Sequence, residues 1–343
     1  MYKKSLYDKA SEYFKTDLWK QFYDTDLFAV KFRDGEIGYC CVMGRLGEHI
    51  CLSVYPENQG LYSFLAMLNS DEDLSEDEYQ EMLFSQDCIQ CSLENKIDMF
   101  PDEVKEFKAY AEGTGIALKG KGRKYIHFAR FKPNCAPWYV KNKNDLEYME
   151  VALEAALEVS RRLQKKSKED LGFTETLEEI PLLEKNGELF EWSKMELPKN
   201  ISVSQPVPVL TEDAVRILKN FMRKGSLECK VFRLPFPVQN KKDDPPRFPA
   251  LILCMDLESG MIVSPPEMIA EEDEEGKLLE AFVKSLCHNK ILPKKISAFD
   301  DRTIRLLKDF CQKTETPMIV EATRLVDDAF EGFINHYGRM SGL

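Results

Sequence analysis

The chain lacks a long apolar run. Apolar residues make up 43% of its 343 positions. They nowhere fill the roughly 18 consecutive positions that a membrane-spanning helix needs. The N-terminal segment MYKKSLYDKASEYFKTDLWKQFYD alternates charged with aromatic side chains and lacks the continuous apolar stretch of a secretory signal. We therefore expect neither a membrane span nor secretion, and we predict a cytoplasmic protein.

Complete catalytic motifs are also missing. The segment from Gly115 to Lys121 imitates a phosphate-binding loop, but Gly122 stands in the place of the Ser or Thr that ligates magnesium. Cys88 and Cys91 form a single C-x-x-C in a strand-like run, where positions three apart point to opposite faces. The four histidines show no spacing typical of a metal site. A Cys–His pair assembled by the fold stays open, but we do not expect an enzyme.

The balance of charge is acidic. Lys and Arg total 47 against 59 for Asp and Glu, which gives a formal net charge of -12. Such a balance favours solubility and argues against broad electrostatic capture of nucleic acid, which needs a basic face. The ten cysteines are spread along the chain inside apolar patterns. We interpret them as reduced, buried thiols and not as a disulfide framework.

The length predicts two domains. Residues 27–32, 36–44 and 49–55 read as successive strands with an Asp-Gly turn between the first two, and helical patterns surround them. The polar, aperiodic stretch at 165–176 separates this part from the rest. We predict an α+β domain with an antiparallel meander over 1–168 and a second domain over 169–343.

The second domain begins with a predicted hairpin around the Asn186-Gly187 turn. From residue 250 onward, a strand hairpin is followed by alternating helices and strands, including KKISAF and PMIVEA. This order is typical of a mixed sheet with helices on its faces. The predicted second domain is therefore a mixed α/β domain with an N-terminal hairpin extension.

Two resemblances follow from these segments. The phrases DGEIGYCCVMGRLGE, GKGRKYIHFARFKPNCAPW, and PALILCMDLESGMI with LPKKISAFDD resemble a family of uncharacterised bacterial proteins built from two domains of unknown function. The order of elements over 228–343 is similar to the ribonuclease H-like fold of integrases and transposases. The first resemblance implies an architecture and no activity, and the second implies a fold.

The second resemblance implies a carboxylate cluster for two divalent metals. Asp300, with Asp301 beside it, stands where the second carboxylate is expected. Asp327, Asp328 and Glu331 lie on the last predicted helix, where the third is expected. The first position falls in ECKVFRL, which has Cys229 and Lys230 at its middle. A lysine repels metal ions, so we interpret this domain as one that has lost its metal cluster, with Asp300 as a helix N-cap.

A basic and aromatic segment is the one positive feature of the first domain. Its cations and a neighbouring ring are Lys119, Lys121, Arg123, Lys124, Arg130 and Trp138. Cations between aromatic side chains contact phosphates while rings stack on bases or ligands. This predicts a site for an anion or nucleic acid. The alternation of a strand places much of the same aromatic content in the core, and we favour that structural interpretation.

The hypothesis from the sequence is a cytosolic bacterial protein that acts as a non-catalytic binding or regulatory module. A protein partner or homo-oligomer is favoured, and no cofactor or membrane is expected. One alternative is a nuclease or nucleic-acid-processing protein dependent on Mg or Mn. A further alternative is a small-ligand enzyme that uses the first domain, for which we expect a deep pocket lined by residues 113–138.

Overall fold

The computed structural model describes residues 4–69, 76–118, 122, 124–174, 176–199, 201, 207–241, 244–263 and 265–341. The chain divides into two compact units, residues 1–203 and 204–343. Helices and strands occur in both units, and their sheets are mixed, so the predicted α+β class is confirmed.

The first unit contains one long sheet and the helices that cover it. Its strands are β1 (Phe28–Lys31), β2 (Ile37–Met43), β3 (Cys51–Pro56), β4 (Cys88–Glu94), β5 (Tyr125–Phe131), β6 (Trp138–Tyr139), β7 (Glu179–Asn186) and β8 (Leu189–Glu196). Its helices are α1 (Lys4–Lys15), α2 (Glu57–Leu68), α3 (Glu76–Phe84), α4 (Pro101–Thr114) and α5 (Lys143–Leu163). The strand order is β6-β5-β4-β3-β2-β1-β7-β8. Strands β1 to β3 form the predicted antiparallel meander, and β4 to β6 extend it with further antiparallel pairs.

The helices of the first unit bury apolar stripes against the sheet. In α1 the buried side chains recur at three- and four-residue spacings, as Tyr7, Ala10 and Tyr13 show. Together with α4 and α5 they form a core on one face of the sheet, while α2 packs on the other face. Helix α5 begins at an N-cap, Asn142, whose side chain accepts a hydrogen bond from the Asn144 N–H.

The hairpin of β7 and β8 corrects the predicted domain boundary. The predicted first domain ends at residue 168, whereas the compact unit extends to residue 203. Strand β7 pairs in parallel with β1, with Ala29 opposite Leu182, and therefore extends the first sheet. Leu171 and Phe173 of the polar connecting stretch are buried in the same core. The hairpin is thus part of the first unit and not an extension of the second.

The second unit is built on a four-stranded sheet. Its elements are α6 (Glu212–Lys219), β9 (Met222–Arg223), β10 (Ser226–Arg233), β11 (Ala250–Asp256), α7 (Glu274–Asn289), β12 (Ile291–Leu292), β13 (Lys295–Ala298), α8 (Asp301–Thr314), β14 (Met318–Val320) and α9 (Arg324–Ser341). The order is β11-β10-β13-β14, with β11 antiparallel and β13 and β14 parallel to their neighbours. Helices α6, α7 and α8 cover one face, and α9 covers the other over β10 and β11.

The hairpin predicted over 250–263 is only partly formed. Strand β11 is regular, but its returning segment is limited to single bridges, such as the one between Met255 and Ile262.

In the described part of the chain, no helix is both long and apolar enough to cross a bilayer.

Candidate functional site

The predicted basic segment is only partly described. Lys119, Lys121 and Arg123 lie outside the described residues. Lys124 adjoins β5, and its backbone N–H donates a hydrogen bond to the Glu94 carbonyl at 3.1 Å. Trp138 is a half-buried residue of β6 that lies opposite Arg130 in the strand register. The anion or nucleic-acid site therefore stays a prediction.

Arg130 is occupied by partners inside the first unit. Its side chain is 5% exposed. The guanidinium lies 2.6 Å from the Asp87 carboxylate and 3.6 Å from that of Asp145, and Nη1 donates to the Cys88 carbonyl at 3.0 Å. Burial raises the pKa of the Asp145 carboxyl, an effect that the charge of Arg130 opposes. This geometry gives Arg130 partners within the first unit, and its contact with an external anion stays a prediction.

A cavity of about 440 Å³ lies beside this segment, among α1, α4, β5, β6 and the start of α5. Its lining is formed by Leu6, Tyr7, Asp102, Lys105, Glu106, Phe128, Tyr139, Val140, Lys141 and Leu146. Of the segment 113–138 for which a pocket was expected, the lining contains Phe128. Its size falls within the range of small-molecule sites, which is about 300–1,000 Å³.

The floor of the cavity is apolar and aromatic. Leu6, Tyr7, Phe128 and Val140 are buried, and the rings of Tyr7 and Phe128 meet edge to face with centroids 5.2 Å apart. The sequence places Leu6 and Tyr7 on the buried stripe of α1, and Phe128 on the face of β5 that α1 covers. Aromatic rings held at such an angle give the floor a fixed shape.

A hydrogen-bonded tyrosine and carboxylate form the polar wall. The Tyr139 hydroxyl donates to Glu106 Oε2 at 2.6 Å. Burial is the largest cause that raises the pKa of both Tyr7 and Tyr139, and the Glu103 charge raises that of Tyr7 further. Both phenols therefore stay protonated at neutral pH and are able to donate hydrogen bonds.

A buried carboxylate in the first turn of α4 supports the floor of the cavity. Glu103 is fully buried, accepts a hydrogen bond from the Phe128 N–H at 2.7 Å, and lies 2.7 Å from His127 Nδ1. Burial raises the pKa of the Glu103 carboxyl, and the hydrogen bond with His127 opposes that rise. Because Glu103 satisfies the edge of β5 next to Phe128, it fixes the strand that forms the floor.

Charged side chains surround the mouth of the cavity. Lys105 Nζ lies 3.5 Å from Asp102 Oδ1, and Lys141 Nζ lies 3.9 Å from Asp102 Oδ2. All three side chains are largely exposed, so these ion pairs are weak and exchange readily with other partners.

Three of the acids predicted as metal ligands, Asp300, Asp301 and Asp328, lie at a helix start or on a helix surface. Asp300 is the N-cap of α8, where its Oδ1 accepts a hydrogen bond from the Thr303 N–H at 2.7 Å. Asp301 is the first residue of that helix and is exposed. Asp328 lies exposed on α9. Over the described ranges, no group of three or more His, Cys, Asp or Glu side chains is arranged to hold a metal ion.

Asp327, the remaining predicted ligand, is paired with a lysine. Lys230 Nζ lies 2.8 Å from Asp327 Oδ1 and 5.0 Å from the centroid of the Phe232 ring. Glu228, two residues earlier on β10, is buried and accepts a hydrogen bond from the Val326 N–H at 2.9 Å. Asp327 and Glu228 are thus bound to a cation and to a backbone donor of the protein itself.

Sequence reasoning missed most of the cavity. Tyr7 and Leu6 belong to an amphipathic stripe, which indicates only a core position. Tyr139 follows Trp138 of the basic and aromatic segment, and Glu106 on α4 carries no distinguishing signal. A tyrosine beside an apolar strand, with an acid on the preceding helix, is too common a pattern to identify a pocket.

The fold and the cavity define a two-unit α+β protein whose first unit contains a cavity of about 440 Å³. The chain belongs to the family described as domain of unknown function DUF7309, whose model matches residues 4–179. A second model, domain of unknown function DUF6930, matches residues 214–334. This confirms the predicted two-domain family. Neither the curated proteins nor the solved structures contain a match, and the ribonuclease H-like fold stays a prediction.

Proposed function

We propose that the protein is a non-catalytic binding protein whose first unit holds a small amphipathic ligand in the cavity among α1, α4, β5, β6 and α5. The observation that carries this proposal is the combination of an apolar floor with the Tyr139–Glu106 hydrogen bond on one wall. Ligand sites typically join a mostly apolar lining to a few polar groups that fix orientation. The apolar body of the ligand packs on Leu6 and Phe128, and its polar head reaches Tyr139 and the mouth.

The state of the ionisable groups favours binding over proton transfer. The phenols of Tyr7 and Tyr139 have raised pKa values and are poor acids at neutral pH. Glu103 is engaged by the Phe128 N–H and by His127. A general base works best with a pKa near the operating pH and with reach to the substrate. A carboxylate that already satisfies a strand edge and an imidazole serves as a support for the floor.

The test is a fragment screen by ligand-observed NMR, with Leu146→Trp as the cavity-filling variant. Leu146 lines the cavity, whereas Leu163 is a partly buried leucine of the same helix outside the lining. We expect fragments with an apolar ring and a polar head to bind the parent and Leu163→Trp, and to lose binding to Leu146→Trp. Equal binding to all three chains contradicts the proposal.

The polar wall is tested with Tyr139→Phe, which keeps the ring and removes the hydroxyl. Loss of one hydrogen bond is expected to weaken binding of such fragments by about two- to tenfold. Purely apolar fragments are expected to bind the variant as tightly as the parent. An unchanged affinity for the polar fragments would place their heads elsewhere.

For the second unit we propose a scaffold without a metal cluster. The pairing of Lys230 with Asp327 supports this, because a lysine ammonium already supplies the positive charge beside that carboxylate. Millimolar Mg²⁺ or Mn²⁺ is therefore expected to leave the melting temperature unchanged. A rise that disappears in Asp300→Ala or Asp327→Asn would favour the nuclease alternative.

A further inference from the structure

Two cysteines of the second unit face each other across the β10–β11 ladder. Cys229 lies directly opposite Cys254 in the antiparallel register. Two backbone hydrogen bonds identify the hydrogen-bonded pairs of this ladder. The Leu257 N–H donates to the Ser226 carbonyl and the Leu234 N–H donates to the Pro249 carbonyl, each at 2.8 Å. Because such pairs alternate with non-hydrogen-bonded ones, Cys229 and Cys254 form a non-hydrogen-bonded pair.

This type of pair brings side chains close together. Opposed Cα atoms in it are about 4.5 Å apart, which lies at the short end of the range that a disulfide spans. The two Sγ atoms are 3.3 Å apart. Formation of an S–S bond therefore needs a shift of just over an ångström, within reach of side-chain rotation.

We propose that Cys229 and Cys254 are a reversible oxidation site that forms a cross-strand disulfide when the protein meets a hydroperoxide. Cys254 reacts first, since it is 7% exposed while Cys229 is fully buried. Its Sγ attacks one peroxide oxygen, the O–O bond breaks, and a sulfenic acid forms as water or an alcohol leaves.

The second step closes the bond. Cys229 Sγ attacks Cys254 Sγ, the S–O bond breaks, and the Cys229 proton leaves with the hydroxide as water. The two thiols lose two electrons in total, which reduce one hydroperoxide. A dithiol reductant reverses the step by thiol–disulfide exchange.

The position of β11 in the sheet affects the rate at which the hydroperoxide reaches Cys254. Strand β11 is at the edge of its sheet, and in the described residues its outer side carries only isolated bridges, at Ala250–Ile269 and Met255–Ile262. Edge strands open locally more easily than central ones, which admits the oxidant to Cys254. Burial raises the pKa of the Cys229 thiol well above its ordinary value, so the closing step is slow at neutral pH.

The disulfide would join β10 to β11 and close the chain between residues 229 and 254. Helix α9 packs on the opposite face of the same two strands, through Phe232, Leu253 and Val326. Oxidation therefore stabilises the pair of strands on which α9 rests, without adding a group to the surface.

The experiment uses the full chain with Cys287→Ser, because Cys287 is the one cysteine that is not buried. The protein is treated with hydrogen peroxide, quenched with N-ethylmaleimide, digested without reduction and mapped by mass spectrometry. We expect a linked peptide pair holding Cys229 and Cys254. The melting temperature of the second unit is expected to rise by at least about 5 °C and to return after dithiothreitol.

The matched control is Cys311→Ser, which removes a neighbouring buried thiol of the same core and leaves the pair intact. This control is expected to form the same link. A slow reaction is distinguished from no reaction by incubation in glutathione redox buffers. Reduced and oxidised protein are incubated separately until both reach the same fraction of the Cys229–Cys254 disulfide. Free Cys229 and Cys254 in the most oxidising buffer, or a preferred link to Cys311, would overturn the proposal.

Discussion

At the scale of single residues, Lys230 of the second unit forms an ion pair with an acid that was predicted as a metal ligand. A two-metal centre needs carboxylates free to bind cations. Here the Asp327 carboxylate meets the Lys230 ammonium, and the buried Glu228 carboxylate caps the N–H of Val326. Both contacts are internal, and both tie β10 to the start of α9. Asp327 and Glu228 therefore help to fix α9 on the sheet.

We expect Asp327→Asn to lower the free energy of unfolding by about 0.5 to 1 kcal/mol, because the partly buried Lys230 loses its partner while Asp327 itself is well solvated. Urea denaturation of the full chain provides the measurement. Asp328→Asn, at the exposed neighbouring position on α9, is the control and is expected to change little. A double-mutant cycle with Lys230→Met that shows no coupling would contradict the assigned pair.

At the scale of elements, the ends of α8 and α9 show how the sheet positions its helices. Asp300 caps α8 through the Thr303 N–H, and Thr303 Oγ1 in turn accepts from the Val231 N–H of β10 at 2.8 Å. The N-terminus of α8 is thereby joined to the middle of the sheet. Asp300 was interpreted from sequence as an N-cap in preference to a metal ligand, and the geometry agrees with that interpretation.

Replacing Asp300 with Ala is expected to destabilise the second unit by about 1 kcal/mol, since an N-cap acceptor is lost. Asp300→Ser keeps an acceptor and is expected to recover most of the loss. Asp301→Ala removes a first-turn acid without removing the cap, and serves as the control. Equal losses for the Ala and Ser variants at position 300 would show that the cap does not determine stability here. Thermal and urea unfolding both provide the measurement.

At the scale of the whole molecule, one parallel strand pair decides the division of the chain. The pairing of β7 with β1 places a hairpin from the far side of the polar stretch 165–176 into the first sheet. Leu183 of β7 is fully buried in the same core as Phe28 and Val30 of β1. The first unit is therefore incomplete without the hairpin.

A chain of residues 1–203 is expected to fold cooperatively, whereas a chain of residues 1–168 is expected to aggregate or to unfold at a much lower temperature. The shorter chain exposes the edge of β1 and the apolar surface that Leu183 covers. Circular dichroism and size-exclusion chromatography distinguish the two outcomes. Equal melting temperatures for both chains would return the boundary to residue 168.

The division between sequence and tertiary structure follows the range of the interactions. Local patterns were enough for the meander, for the helical stripe of α1 and for the cap at Asp300, because each depends on neighbours along the chain. They also located the β7–β8 hairpin, but its two loop residues are Gly187 and Glu188, one position later than the predicted Asn186-Gly187 turn. The same local reasoning identified Lys230 as an obstacle to a metal cluster, since charge at a position is visible in the sequence, and the loss of that cluster stays a prediction.

Contacts between distant residues were decided by the tertiary structure alone. Leu182 pairs with Ala29. The Tyr139 hydroxyl donates a hydrogen bond to Glu106, although strand β5 separates the two residues along the chain. Cys229 lies opposite Cys254 because β10 and β11 pair in one particular register. A shift of that register by one residue would separate the two thiols, although the amino-acid sequences of both strands would be the same. Composition and periodicity determined the class of this protein, while the cavity and the thiol pair depend on which strands come together and in what alignment.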